Sequence, residues 1–295
     1  MDSLSEIMTS QEYNRFGPWV LEISAEDPIP ALFLPHLDRS RSPLLSFKIP
    51  RQIERRKASP GMNLYDYLVR LFPEKIEIFQ RVGETVSRRV IHYQEIQSIA
   101  LQENLLQSEL VIQGANQSCR LPFSSVSIDL MQRALNLIRT RYTAPEKLLE
   151  PESNPAFQPE DLSFFFSKLL SKQKVQDPGL ALLAYQPEIP IHKLHQQPLP
   201  KILSFLLRSH LLESLHLSDG VELRVIDRGS GINRYGRAVY AKHIRYFPLH
   251  QGPAFSWEDH PRIPGILQLR VQLPGSGGIS NRYLFSRDNR MISEY

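Results

Sequence analysis

Apolar and polar residues alternate with a period of two in two separate regions of the chain, which predicts strands there. In the first region, Tyr67–Phe72 and Ile76–Arg81 are short runs rich in β-branched and aromatic residues, joined by a Pro-Glu-Lys turn. Arg88–Ile99, Leu110–Gln113 and Arg120–Phe123 continue the pattern. The period then becomes helical: Leu130, Ala134, Leu137, Ile138 and Tyr142 share one face of a predicted helix over Ile128–Tyr142, with Ser127 as its candidate N-cap. Alternation resumes near residue 213. Ser214–Leu217 and Val221–Ile226 flank an Asp219-Gly220 turn, a strong hairpin signal. Arg237–Leu249, Ile266–Leu273 and Arg282–Phe285 follow.

Between these regions the pattern is broken by proline. The chain has 295 residues with 23 Pro against 14 Gly, and Pro is excluded from helix interiors and central strands. Residues 1–60 carry Pro18, Pro28, Pro30, Pro35, Pro43, Pro50 and Pro60, yet also Trp19, Phe33 and several aliphatic residues. They predict an extended arm lying along a folded domain. The arm contains the basic run Arg51–Lys57 (RQIERRK). Residues 143–212 predict a connector with helices over Leu162–Gln173, capped by Asp161, and over Ile202–Leu212. His250–Gly265 reads as a long loop carrying Phe255 and Trp257. Those rings either form a protein-contact surface or fold back over the sheet.

The two strand regions match in order. Ile76-Glu77-Ile78 parallels Val221-Glu222-Leu223, and Arg89-Val90-Ile91 parallels Arg237-Ala238-Val239. Ile96, Ile99 and Leu101 have the spacing of Ile244, Phe247 and Leu249. Leu110–Gln113 parallels Leu269–Gln272, and Arg120–Ser124 parallels Arg282–Ser286. Collinear similarity of this kind points to an internal duplication.

The run from Tyr67 to Tyr142 resembles a bacterial pleckstrin-homology (PH)-like domain. The features are its opening hairpin, the strand I-H-Y-Q-E-I-Q-S-I, two short strands ending L-P-F and the closing helix. The second region resembles a diverged copy that lacks room for a closing helix after Phe285. The resemblance implies a mainly β, α+β fold of two bent antiparallel sheets or barrels. The predicted layout is an arm over 1–60, a PH-like domain over 61–142, a connector over 143–212 and a second PH-like domain over 213–295. Burial of the second copy's open end predicts that the 202–212 helix covers it.

Charge adds little. The net charge of +4 arises in residues 151–295, with 17 Lys/Arg against 13 Asp/Glu, since residues 1–150 balance. PH domains that bind phosphoinositides use basic residues on the first two strands and their loop. Arg228, Arg234, Arg237 and Lys242 lie there in the second copy and are candidate contacts for an anionic lipid, although Asp227 dilutes them. A solvated strand edge is the plainer reading. A nucleic-acid partner is not expected without a stronger basic stripe. His192 and His195 have metal-pair spacing but no companions nearby. No nucleophile elbow or phosphate loop is present, so no catalytic residue, cofactor or metal is predicted.

A lone cysteine, Cys119, excludes an internal disulfide, and no apolar run is long enough to span a membrane. The first residues lack signal-peptide order, so the cytoplasm is expected. The expected role is non-enzymatic binding or scaffolding through protein–protein contacts, by a monomer or a homo-oligomer. The alternatives are peripheral binding to anionic lipid and an enzyme with an unrecognised site between the domains; Asp219, Asp227, His243 and Glu258 are present, but nothing in the sequence unites them.

Overall fold

The computed structural model describes residues 12–143, 151, 153, 159–190, 210–211, 213–232, 238–261, 265–274 and 280–289. The protein is mainly β, as the alternation predicts. Its sheets are antiparallel and open; where the resemblance implied barrels, none is closed among the described residues. The described residues divide into two units. One holds those up to 96 with 105–114 and 118–142; the other holds 97–104, 115–117 and those from 143 on.

In the first unit, β1 (Leu21–Glu22), β2 (Leu45–Pro50), β3 (Tyr65–Leu71), β4 (Lys75–Val82) and β5 (Thr85–His92) pair in sequence order. A 3-10 turn at Tyr93–Glu95 divides the long strand predicted over Arg88–Ile99; β6 (Ile96–Glu103), which begins after it, belongs from residue 97 on to the second unit. β7 (Gln107–Gly114) and β8 (Ser118–Ser124) form a hairpin, and helix α1 (Ile128–Tyr142) ends the unit. The N-terminal arm is part of the sheet. All six residues of β2 are buried, because the arm lies over it. Phe16 and Phe33 from the arm join Leu64, Tyr65, Leu68 and Phe79 in one core cluster. Burial of each such ring is worth about 1.5–3 kcal/mol. Helix α1 buries Met131, Ala134, Leu135, Ile138 and Tyr142, so its inner face is rotated from the predicted one. Ser127 does not act as a free cap: its Oγ accepts from the Val20 N–H at 2.8 Å, which ties the arm to the start of α1.

In the second unit, helix α2 (Phe164–Gln176) precedes β9 (Ala181–Gln186). Its cap is Ser163, whose Oγ accepts from the Phe166 N–H, rather than the predicted Asp161. β10 (Ile189–Pro190) pairs with β11 (His210–Leu211). The helix predicted over Ile202–Leu212 therefore ends in a strand, and its other residues lie outside the described ones. β12 (Glu213–Ser218), β13 (Glu222–Ile232) and β14 (Ala238–Pro248) form a meander. With β9 and β6 at its sides, the hydrogen-bonded order is β9-β12-β13-β14-β6. The β12–β13 turn is the predicted one. Gly220 takes φ +85°, a left-handed conformation that favours glycine, and Asp219 Oδ1 accepts from the N–H groups of Val221 and Glu222.

A second, three-stranded sheet follows: β15 (Ala254–Asp259), β16 (Ile266–Gln272) and β17 (Ser280–Ser286). β15 occupies the segment predicted as a loop. The inner face of the β9–β14 sheet (Ala184, Leu223, Val225, Phe247) packs on Leu269, Val271, Tyr283 and Phe285 of this sheet. Helix α2 covers the other face, where Phe166 meets Tyr185 edge-on at 6.0 Å and Arg224 reaches Gln173 and Asp177. Among the described residues no helix is long and apolar enough to cross a membrane.

Candidate functional site

The first unit carries an open groove of about 480 Å³ between β2 and β8. That size falls within the ~300–1,000 Å³ range of binding sites. Ile49 and Pro50 of β2 form one wall, and Pro122, Phe123 and Ser124 of β8 form the other. Phe16, Gly17 and Pro18 of the arm, the turn Arg51–Arg55, and Leu106 and Gln107 complete it. The elements explain why the gap is open. β8 is an edge strand, and β1 covers β2 only at Phe47 and Lys48. Of its lining, Leu106 is 80 % exposed, and Leu105, Val126 and Trp19, which neighbour lining residues in the chain, are 69 %, 65 % and 50 % exposed. The Trp19 ring lies against the Cα of Gly17, so a β-carbon at that position would displace it. Scattered exposed apolar residues are ordinary, but a set gathered along one groove marks a contact site.

The groove is basic at one end. Arg55 donates to the carbonyls of Phe16 and Asn14 and lies 5.9 Å from the centre of the Tyr13 ring. No carboxylate lies within ion-pair distance of it among the described residues. Glu54 alone serves both Arg56 and Lys57. Arg51 shares Asp66 with Arg81 and donates to the Asn63 carbonyl. Sequence reasoning noted the basic run but missed the groove, which is assembled from four separate stretches of chain.

Of the residues singled out as an anion site, Arg228 and Lys242 are described and have partners within the protein. Arg228 and Lys242 are opposite each other across β13 and β14. Lys242 pairs with Glu103 at 2.7 Å, and Arg228 stacks on Phe165 at 4.6 Å. Arg234 and Arg237 lie outside the described residues. Phe255 and Trp257 face inward from β15 and pack on the second unit's core; Trp257 meets Phe285 at 5.1 Å. Of their two readings, the structure shows the folded-back one.

The second unit holds a different constellation. Register places Gln186, Ser214, Asp227, His243 and Gln102 in one row across the inner face of all five strands. Beside it, Arg245 donates to Asn281 Oδ1 at 2.5 Å and to the Tyr283 hydroxyl at 3.2 Å. Burial pushes the Asp227 carboxyl up to about 7, with Arg245 opposing, and lowers His243, helped by Arg245. His216, in the next row, is fully buried against Tyr283 and Phe285, and burial lowers it to about 3. Asp227 and His243 are thus neighbours. The other acids named with them are not: Asp219 pairs with Arg224, and Glu258 with Arg270. Among the described residues no cluster of three or more His, Cys, Asp or Glu could hold a metal ion. His192 and His195 lie outside them. Cys119 is buried, which raises its thiol to about 11 and keeps it protonated.

No protein-family model, curated protein or solved structure matches the chain.

Proposed function

We propose that the chain is a non-enzymatic binding or scaffold protein of two PH-like units, acting through protein–protein contacts. The observation that carries this reading is the groove of the first unit, open, apolar and lined in part by exposed Leu106, with exposed Leu105, Val126 and Trp19 next to lining residues in the chain. Apolar surface left wet in this way is normally reserved for a partner. The antiparallel strands β3–β5, the β7–β8 hairpin and the closing helix α1 support the PH-like reading of the first unit. Fold alone does not choose the partner. The lipid alternative is weaker, because Arg228 and Lys242 already have partners within the protein.

The test is site-directed photo-cross-linking in the native cell. A photo-reactive residue replacing Leu106 should capture a discrete protein. The same residue replacing exposed Phe164 on α2 should not capture that protein. Capture of lipid alone, or of nothing, at Leu106 overturns the reading.

A further inference from the structure

We infer that the groove between β2 and β8 docks an extended acidic segment of a partner protein, with apolar side chains in the groove and carboxylates on Arg55, Arg56 and Lys57. This rests on the binding reading above and adds the chemistry of the partner.

Phe16, Ile49, Ile53, Pro122 and Phe123 of the lining give the groove an apolar surface with little hydrogen bonding. An α-helix with its side chains is about 10–12 Å across. A groove of about 480 Å³ accommodates the side chains of an extended segment more readily. Arg51 and Arg55 line the groove, and Arg56 and Lys57 follow Arg55 in the chain. Residues 51–57 hold four cations and one carboxylate. Glu54 is spent on Arg56 and Lys57, yet those two side chains remain 80 % and 67 % exposed. Arg55 is anchored by two backbone carbonyls, which hold its guanidinium in place without neutralising it. A fixed charge facing an approaching carboxylate costs little further ordering on binding, and exposed neighbours of the same sign steer encounter. A basic segment would meet repulsion here, and an uncharged one would leave these cations unused.

The test uses fluorescence anisotropy with three labelled peptides of equal length: alternating leucine–glutamate, leucine–lysine and leucine–serine. The leucine–glutamate peptide should bind wild-type protein best, and added salt should weaken it. Leu106→Asp changes an exposed residue, so folding is preserved, and it should abolish binding. Arg56→Glu with Lys57→Glu should weaken binding roughly tenfold, about 1.4 kcal/mol, and the leucine–serine peptide should not feel it. If leucine–serine or leucine–lysine binds as well as leucine–glutamate, and Leu106→Asp abolishes it, the groove stands and the acidic partner falls. If no peptide binds, or if binding survives Leu106→Asp, both fall.

Discussion

At the scale of single residues, the second unit balances opposed titrations. Asp227 keeps its proton to about pH 7 in the folded protein, against an ordinary value of 3.8. The stability it contributes is full below the unfolded value and is lost as pH rises through the folded one. His216 and His243 run the other way. Their folded values lie below the ordinary 6.5, so stability is full above that value and lost as pH falls through the folded ones. The groups around Asp227 include Ser214, His243, Tyr283 and Arg245; Arg245 favours its ionised form but does not offset burial. Stability of this unit should therefore peak near the lower edge of neutrality. Asp227→Asn removes the alkaline limb: urea midpoints of the variant should exceed those of wild type at about pH 8.5 and draw level with them by about pH 4. A variant that is weaker at both pH values would show the carboxylate to be stabilising and would contradict the assigned shift.

At the scale of elements, helix α2 illustrates how burial outranks composition. Three phenylalanines stand in a row, yet Phe166 is fully buried against Tyr185 while Phe164 is 80 % exposed. Phe166→Ala should cost about 3–5 kcal/mol, and Phe164→Ala should stay within about 0.5 kcal/mol. Equal losses in denaturant unfolding would mean that the helix does not dock as described. The β3–β5 strands were legible from their alternation, and β12–β13 from the Asp219-Gly220 turn that joins them, although all six β12 residues are buried. β2 does alternate, Leu45, Phe47 and Ile49 against Ser46 and Lys48, but Pro43 and Pro50 at its ends drew the reading toward an extended arm. β9 was hidden because five of its six residues are buried. β15 did offer a signal: Phe255 and Trp257 alternate with more exposed Ala254, Ser256 and Glu258. The prolines around it drew the reading toward a loop. The groove was illegible for a different reason. Its walls come from residues 16–18, 49–55, 106–107 and 122–124, and no local pattern connects them.

At the scale of the molecule, the uneven charge acquires a narrower meaning. The basic excess lies in residues 151–295, but Lys242, Arg224 and Arg270 there are paired with carboxylates. The unneutralised charge of the groove belongs instead to the half whose total is balanced. Co-sedimentation with vesicles rich in anionic lipid should therefore show little binding at physiological salt. Strong binding that Arg234→Glu with Arg237→Glu abolishes would restore the lipid alternative.

The prolines of the groove have a further consequence. An apolar cleft flanked by two incompletely covered strands is a natural place for like chains to stitch together into fibrils. Pro50 and Pro122 stand on those two strands, and neither has an N–H to offer a neighbouring backbone. Side chains of a partner can enter the cleft, while a copy of the same chain finds its hydrogen-bond ladder interrupted on both walls. Replacing both prolines with valine should raise light scattering and thioflavin binding on prolonged incubation, with the folded circular-dichroism spectrum initially unchanged. The residue that first reads as a barrier to helices then acts as a guard of solubility, letting the protein keep a sticky surface exposed.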